Sequence, residues 1–184
     1  MTATPQLKIP TFLVVLFLLW PPTGRAQTPT SSIYSDLRPG RCRTIEVDRE
    51  TGSSVQQCRG VGGYKLLVLD DDSRQSIDVI DAKGKKHELR FWEVVTLGFS
   101  TLGDKAEWRV NRRRGQIVPL ALIVRVNAQE DAEHPERKTS YLAVTRLQGD
   151  TVCVTHKIPA ARDANQKARE AADASSAAPC LPNL

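Results

Sequence analysis

Cys58-Arg-Gly-Val-Gly-Gly-Tyr64-Lys-Leu-Leu-Val-Leu69, Asp70-Asp-Asp-Ser73, Ser76-Ile-Asp-Val-Ile80, Lys83-Gly-Lys85 and His87-Glu-Leu89 read as three consecutive β-strands with two polar turns between them. Gly60, Gly62 and Gly63 invite comparison with a phosphate-binding loop. A strand run follows them where such a loop needs a helix, so they read as a bend or a close backbone approach. Asp70-Asp-Asp72 lacks the spaced acids and glycine of a calcium loop and reads as a solvated turn.

Upstream, Cys42-Arg-Thr-Ile-Glu-Val47, the turn Asp48-Arg-Glu-Thr-Gly52 and Ser53-Ser-Val-Gln-Gln-Cys58 form a hairpin pattern with a cysteine at each outer end. Such ends lie opposite each other in an antiparallel pair, within disulfide reach. Further out, residues 27–39 are rich in Thr, Ser and Pro and read as a flexible leader. At the N-terminus, Lys8, the apolar run Thr11–Trp20, the break Pro21-Pro22 and Gly24-Arg25-Ala26 make the pattern of a cleaved secretory signal over 1–26. The run is about half the roughly 20 residues a membrane-spanning helix needs, so no stable membrane insertion is expected after cleavage.

Downstream, Trp92–Phe99 reads as a short helix or an irregular crossover capping the core, and Gly103-Asp-Lys-Ala106 as a turn. Leu120–Val126 reads as a central strand, with Ala121, Ile123 and Arg125 on one face and Leu122, Val124 and Val126 on the other. Pro119 cannot donate to a ladder and belongs at a bulge or an edge. After a charged loop, Thr139–Arg146 and Thr151–Thr155 are the last strands. Ala164, Ala168, Ala171 and Ala172 then repeat at helical spacing. The expectation is a mainly β fold, an antiparallel sandwich or open barrel of about eight strands with one C-terminal helix. The β-domain spans 40–158, and 159–184 form an Ala-rich helix and tail.

Of 26 basic and 21 acidic side chains, signal cleavage removes Lys8 and Arg25 and no acid, leaving 24 against 21. This mild, mixed balance does not point to nucleic acid. Cys42, Cys58, Cys153 and Cys180 all survive cleavage. An even count in an exported chain argues for two disulfides and a periplasmic or secreted address. Three connectivities are possible, and the local pairs Cys42–Cys58 and Cys153–Cys180 are favoured. A metal site using Cys153 and His156 lacks a second ligand pair nearby, so no metal or cofactor is expected.

No Gly-x-Ser-x-Gly elbow and no His-Glu-x-x-His motif occurs. The leading expectation is a non-catalytic or inhibitor-like binding domain whose partner is an envelope protein or an anionic glycan. Arg112, Arg113 and Arg114, in a hairpin turn, are the candidate grip for an anion, against a reading as a solvated turn. The alternative is a hydrolase with a strand-end acid/histidine site, for which His156 and Asp150 are the candidates.

At Cys58-Arg-Gly-Val-Gly-Gly-Tyr64, Gly103-Asp-Lys-Ala-Glu-Trp-Arg109 and the Ala-rich helix, the chain resembles small exported proteins of Gram-negative bacteria with no established function. That resemblance implies a periplasmic address and transfers no active site. The general build is also similar to that of small disulfide-bonded periplasmic lysozyme inhibitors, at the level of fold alone.

Overall fold

The computed structural model describes residues 29–148 and 151–184, so the expected signal segment and the candidate Asp150 lie outside the described residues. The fold is mainly β. In chain order the strands are β1 (Ser31–Asp36), β2 (Arg43–Val47), β3 (Ser54–Arg59), β4 (Lys65–Asp71), β5 (Arg74–Ile80), β6 (Lys86–Glu88), β7 (Ser100–Arg113), β8 (Gln116–Ala128), β9 (Thr139–Arg146) and β10 (Cys153–Pro159). A short helix, α1 (Phe91–Val94), crosses between β6 and β7, and α2 (Ala164–Asp173) follows β10. No described helix is long and apolar enough to cross a membrane.

The strands fall into two antiparallel groups. One runs β10-β9-β8-β7 with β1 beside β7; the other runs β2-β3-β4-β5 with β6 beside β5. A single parallel bridge, Arg74 to Ser100, joins the groups through β5 and β7. The result is an open sheet folded over its own core and not closed into a barrel. Leu66, Val68, Ile77 and Val79 from one half meet Trp108, Val110, Leu122, Val124 and Val126 from the other. Trp108 is fully buried. Its indole N–H donates to Ser35 Oγ at 2.9 Å, and that hydroxyl donates to the Arg59 carbonyl at 2.6 Å. Tyr64 meets the Trp108 ring edge-on at 6.0 Å. One chain of contacts therefore ties both halves at the core.

Two local readings are corrected. The segment expected to be a flexible leader contains β1, paired with β7 from Ser31↔Val110 to Asp36↔Lys105. Its polar sequence hides a strand that depends on a partner about 75 residues away. Gly103–Ala106 is no turn: β7 runs through it, with a register shift between Leu102 and Ala106. A bulge bends the strand and absorbs the local turn signal.

The faces of β8 divide as the alternation requires. Leu122, Val124 and Val126 enter the main core, while Ala121 and Ile123 join Leu142 and Val144 beneath Ala164, Ala168 and Ala172 of α2. Pro119 sits at a register shift opposite Val110. Helix α2 is also fixed by charge. Arg109, only 8% exposed, donates from Nε and Nη2 to both Asp173 oxygens at 2.8 Å, and from Nη1 to Ser32 Oγ at 2.6 Å. Glu107 receives Arg169 Nε at 2.6 Å and the Ser32 hydroxyl at 2.5 Å. Both cysteine pairs are bonded locally, Cys42 to Cys58 and Cys153 to Cys180.

Candidate functional site

At the end of the folded sheet remote from the Arg74–Ser100 bridge, a cleft of about 500 Å³ opens. Four connections form it: the bend carrying Gly62 and Tyr64, the β5–β6 turn with Asp81–Lys83, the start of β8 at Ile117–Pro119, and the β9–β10 connection at Leu147, Gln148 and Val152. Gly62 is required here. Its φ is +61°, and a Cβ would come within 2.7 Å of Pro119 Cδ and 2.8 Å of the Ile117 carbonyl oxygen. The glycine cluster thus serves close approach between the two halves.

Asp81 organises the polar side. Its Oδ1 accepts the backbone N–H groups of Lys83 at 2.9 Å and Lys85 at 3.0 Å. Its Oδ2 lies 3.0 Å from His87 Nε2. The bond to His87 comes first among the causes that hold the Asp81 carboxyl below its ordinary range. An ionised Asp81 can only accept, so Nε2 carries the hydrogen of this bond. Tyr64 has its phenol pushed up, first by burial and then by the Asp81 charge, which favours the neutral hydroxyl as a donor. Apart from Lys83 and Gln148 at its rim, the remaining wall is apolar, with Ile117, Val118, Pro119, Leu147 and Val152.

This arrangement holds an oriented imidazole and a phenol against an apolar wall. Among the described residues lining it there is no serine, threonine or cysteine, so the wall supplies no aliphatic hydroxyl or thiol nucleophile and its one side-chain hydroxyl is the Tyr64 phenol. Sequence reasoning placed His87 in mid-strand and did not pair it with Asp81. The signal was present, because a tight turn over Ala82–Lys85 follows Asp81 and returns the chain so that His87, opposite Val79, reaches Asp81 on the diagonal.

The residues singled out from sequence lie elsewhere. His156 is on β10, with Nδ1 3.0 Å from Thr155 Oγ1, and does not line the cleft. No carboxylate lies within ion-pair distance of His156 among the described residues. Arg112 and Arg113 end β7, and Arg114 takes a left-handed turn at φ 51°. All three are exposed and pair with no carboxylate among the described residues. No three His, Cys, Asp or Glu side chains gather to hold a metal ion among the described residues. Against known proteins, the chain matches no family model, no curated protein and no solved structure.

Proposed function

We propose that the chain is an exported, disulfide-bonded β-domain that binds a protein segment of the cell envelope in the cleft and performs no chemistry there. The observation that carries this reading is the division of labour within the cleft. Asp81 spends its carboxylate on its own turn and on His87. What faces the opening is an apolar wall flanked by hydrogen-bonding groups on Tyr64, His87 and Gln148. Binding sites of this size pair apolar walls with a few fixed polar groups. Two disulfides and the N-terminal signal pattern support the exported address.

A photo-crosslinking residue placed at Val118 or Lys83, in cells that export the protein, tests it. One defined protein adduct is expected from both positions, and none from Gln166 on the exposed side of α2. N-terminal sequencing of the exported protein should begin at Gln27. Equal crosslinking from all three positions would sink the reading. So would turnover of an ester, peptide or glycan that His87→Ala abolishes, which would move the hydrolase alternative to His87 and away from His156.

A further inference from the structure

We infer that the outer face of β2, β3 and β4 carries a second site, for a compact phosphate-bearing anion, built from Arg41, Arg43, Arg59 and Lys65. It shares only the edge residue Tyr64 with the cleft and is independent of the reading given to the cleft.

Strand register assembles it. Arg43 lies opposite Gln57, and Arg59 lies opposite Lys65. Gln57 and Arg59 are two apart on β3 and so share a face, while Cys58 and Leu66 between them turn into the core. Directly opposed residues have Cβ atoms about 4.5–5.5 Å apart, and diagonal neighbours are within reach of long side chains. The Cys42–Cys58 bridge pins the start of β2 to the end of β3, which also brings Arg41 to the same corner. Together these residues line a depression of about 490 Å³ with no carboxylate in its wall.

The charges are unusually uncompensated. Among the described residues, Arg43, Arg59 and Lys65 have no carboxylate within 4.0 Å, unlike Arg109 and Arg169. Arg41 lies 3.6 Å from Asp36, but that carboxylate is held at 2.6 Å by Arg38. Like charges placed directly opposite on neighbouring strands destabilise a sheet. Arg59 against Lys65 is such a pair, and a bound anion removes its cost.

The surrounding charge selects the ligand. Val55, on the same face of β3, lines a separate depression with Glu46, Asp48, Asp70 and Asp71. The face is therefore basic at one end and acidic at the other, so an extended polyanion laid along it would be repelled. A phosphomonoester or diphosphate puts two or more charges on one small group and suits arginine forks. A soluble phosphate ester and a lipid headgroup both present this chemistry.

The test uses the mature, disulfide-intact chain at physiological ionic strength. One arm titrates inorganic pyrophosphate by calorimetry; the other floats phosphatidylcholine vesicles with and without phosphatidic acid. Binding in at least one arm is expected, and the responding arm identifies the source. Arg59→Gln and Arg43→Gln should each weaken it about tenfold, as loss of a charge-assisted bond implies. Arg112→Gln should leave it unchanged. Arg59→Gln should also raise the Tm by about 1–3 °C by relieving the opposed pair. Binding in neither arm overturns the inference. So does indifference to Arg59→Gln, a fall in Tm in that variant, or capture of long polyphosphate without pyrophosphate.

Discussion

Removing either partner of the Arg109–Asp173 pair should destabilise the protein, and by unequal amounts. Arg109 is 8% exposed, whereas the Asp173 side chain is 36% exposed. In Asp173→Ala the guanidinium stays buried with two donors unpaired, keeping Ser32 and the field of Glu107, which the Arg169 charge opposes. Breaking a buried pair in this way costs about 3–5 kcal/mol, and the 36% exposure of the Asp173 side chain places this case near the lower end, about 3 kcal/mol. In Arg109→Met the buried volume is refilled by an apolar chain and Asp173 turns to solvent. That should cost only about 1 kcal/mol. At about 2–4 °C per kcal/mol for a chain of this size, the expected drops in Tm are about 6–12 °C for Asp173→Ala and about 2–4 °C for Arg109→Met. Thermal unfolding followed by far-UV circular dichroism, with both disulfides intact, measures the two. A larger drop for Arg109→Met, or drops below about 1 °C for both, would show that α2 is not held by this pair.

Replacing Cys42 and Cys58 together by serine should cost about 2–5 kcal/mol in urea denaturation. Arg112→Ala should stay within about 0.5 kcal/mol. Peptide mapping without reduction should yield the Cys42–Cys58 and Cys153–Cys180 peptides, and any cross-pair would refute the framework. Gly62→Ala must accept both a positive φ and a clash with Pro119, and should cost about 1–3 kcal/mol by the same denaturation. Two aspartates should shape acid stability in opposite directions. Asp81 is held below its ordinary value of 3.8, so its contribution is complete above that value and is lost as pH falls through the folded value. Asp78 is raised by burial, so its contribution is present below 3.8 and is lost as pH rises through its folded value. Asp81→Asn should therefore flatten the stability profile below about pH 4, and Asp78→Asn the profile just above it, in denaturation midpoints measured across pH.

Local chemistry carried much of the fold in readable form. Alternation divided the faces of β8 correctly, and alanine spacing gave the buried stripe of α2. Hairpin logic gave Cys42–Cys58, and the preference for local pairs gave Cys153–Cys180. Long-range pairing was not readable: Ser31–Asp36 is polar and becomes a strand because β7 offers an edge. The bulge at Gly103 defeated a sound turn signal for the same reason, since a tertiary ladder overrode a local preference. The two sites differ in this respect. The cationic face follows from the Cys42–Cys58 pairing, which fixes the β2–β3 register and with it the position of Arg43 against Gln57. The cleft does not, because it joins four connections scattered from Gly62 to Val152 that only the folded sheet brings together.

The single bridge between β5 and β7 makes the molecule a pair of tongs. The pivot is Arg74–Ser100, and from it the two strands run in parallel toward Ile80 and Arg113. The jaws are the Asp81–Lys83 turn and Ile117–Pro119, on either side of the cleft. Seven residues of β5 give an arm of about 20 Å. Turning that arm by about 5° moves its tip by roughly 2 Å, about the radius of a methyl group, while the pivot deforms far less. Gly62 leaves no room even for a Cβ against Pro119 on the closing side, while the Ser35–Arg59 hydrogen bond and the Tyr64–Trp108 contact tie the two halves against opening. The width of the mouth is thus the dimension in which a small rotation at the pivot is most amplified, and it is set by the contacts that tie the two halves.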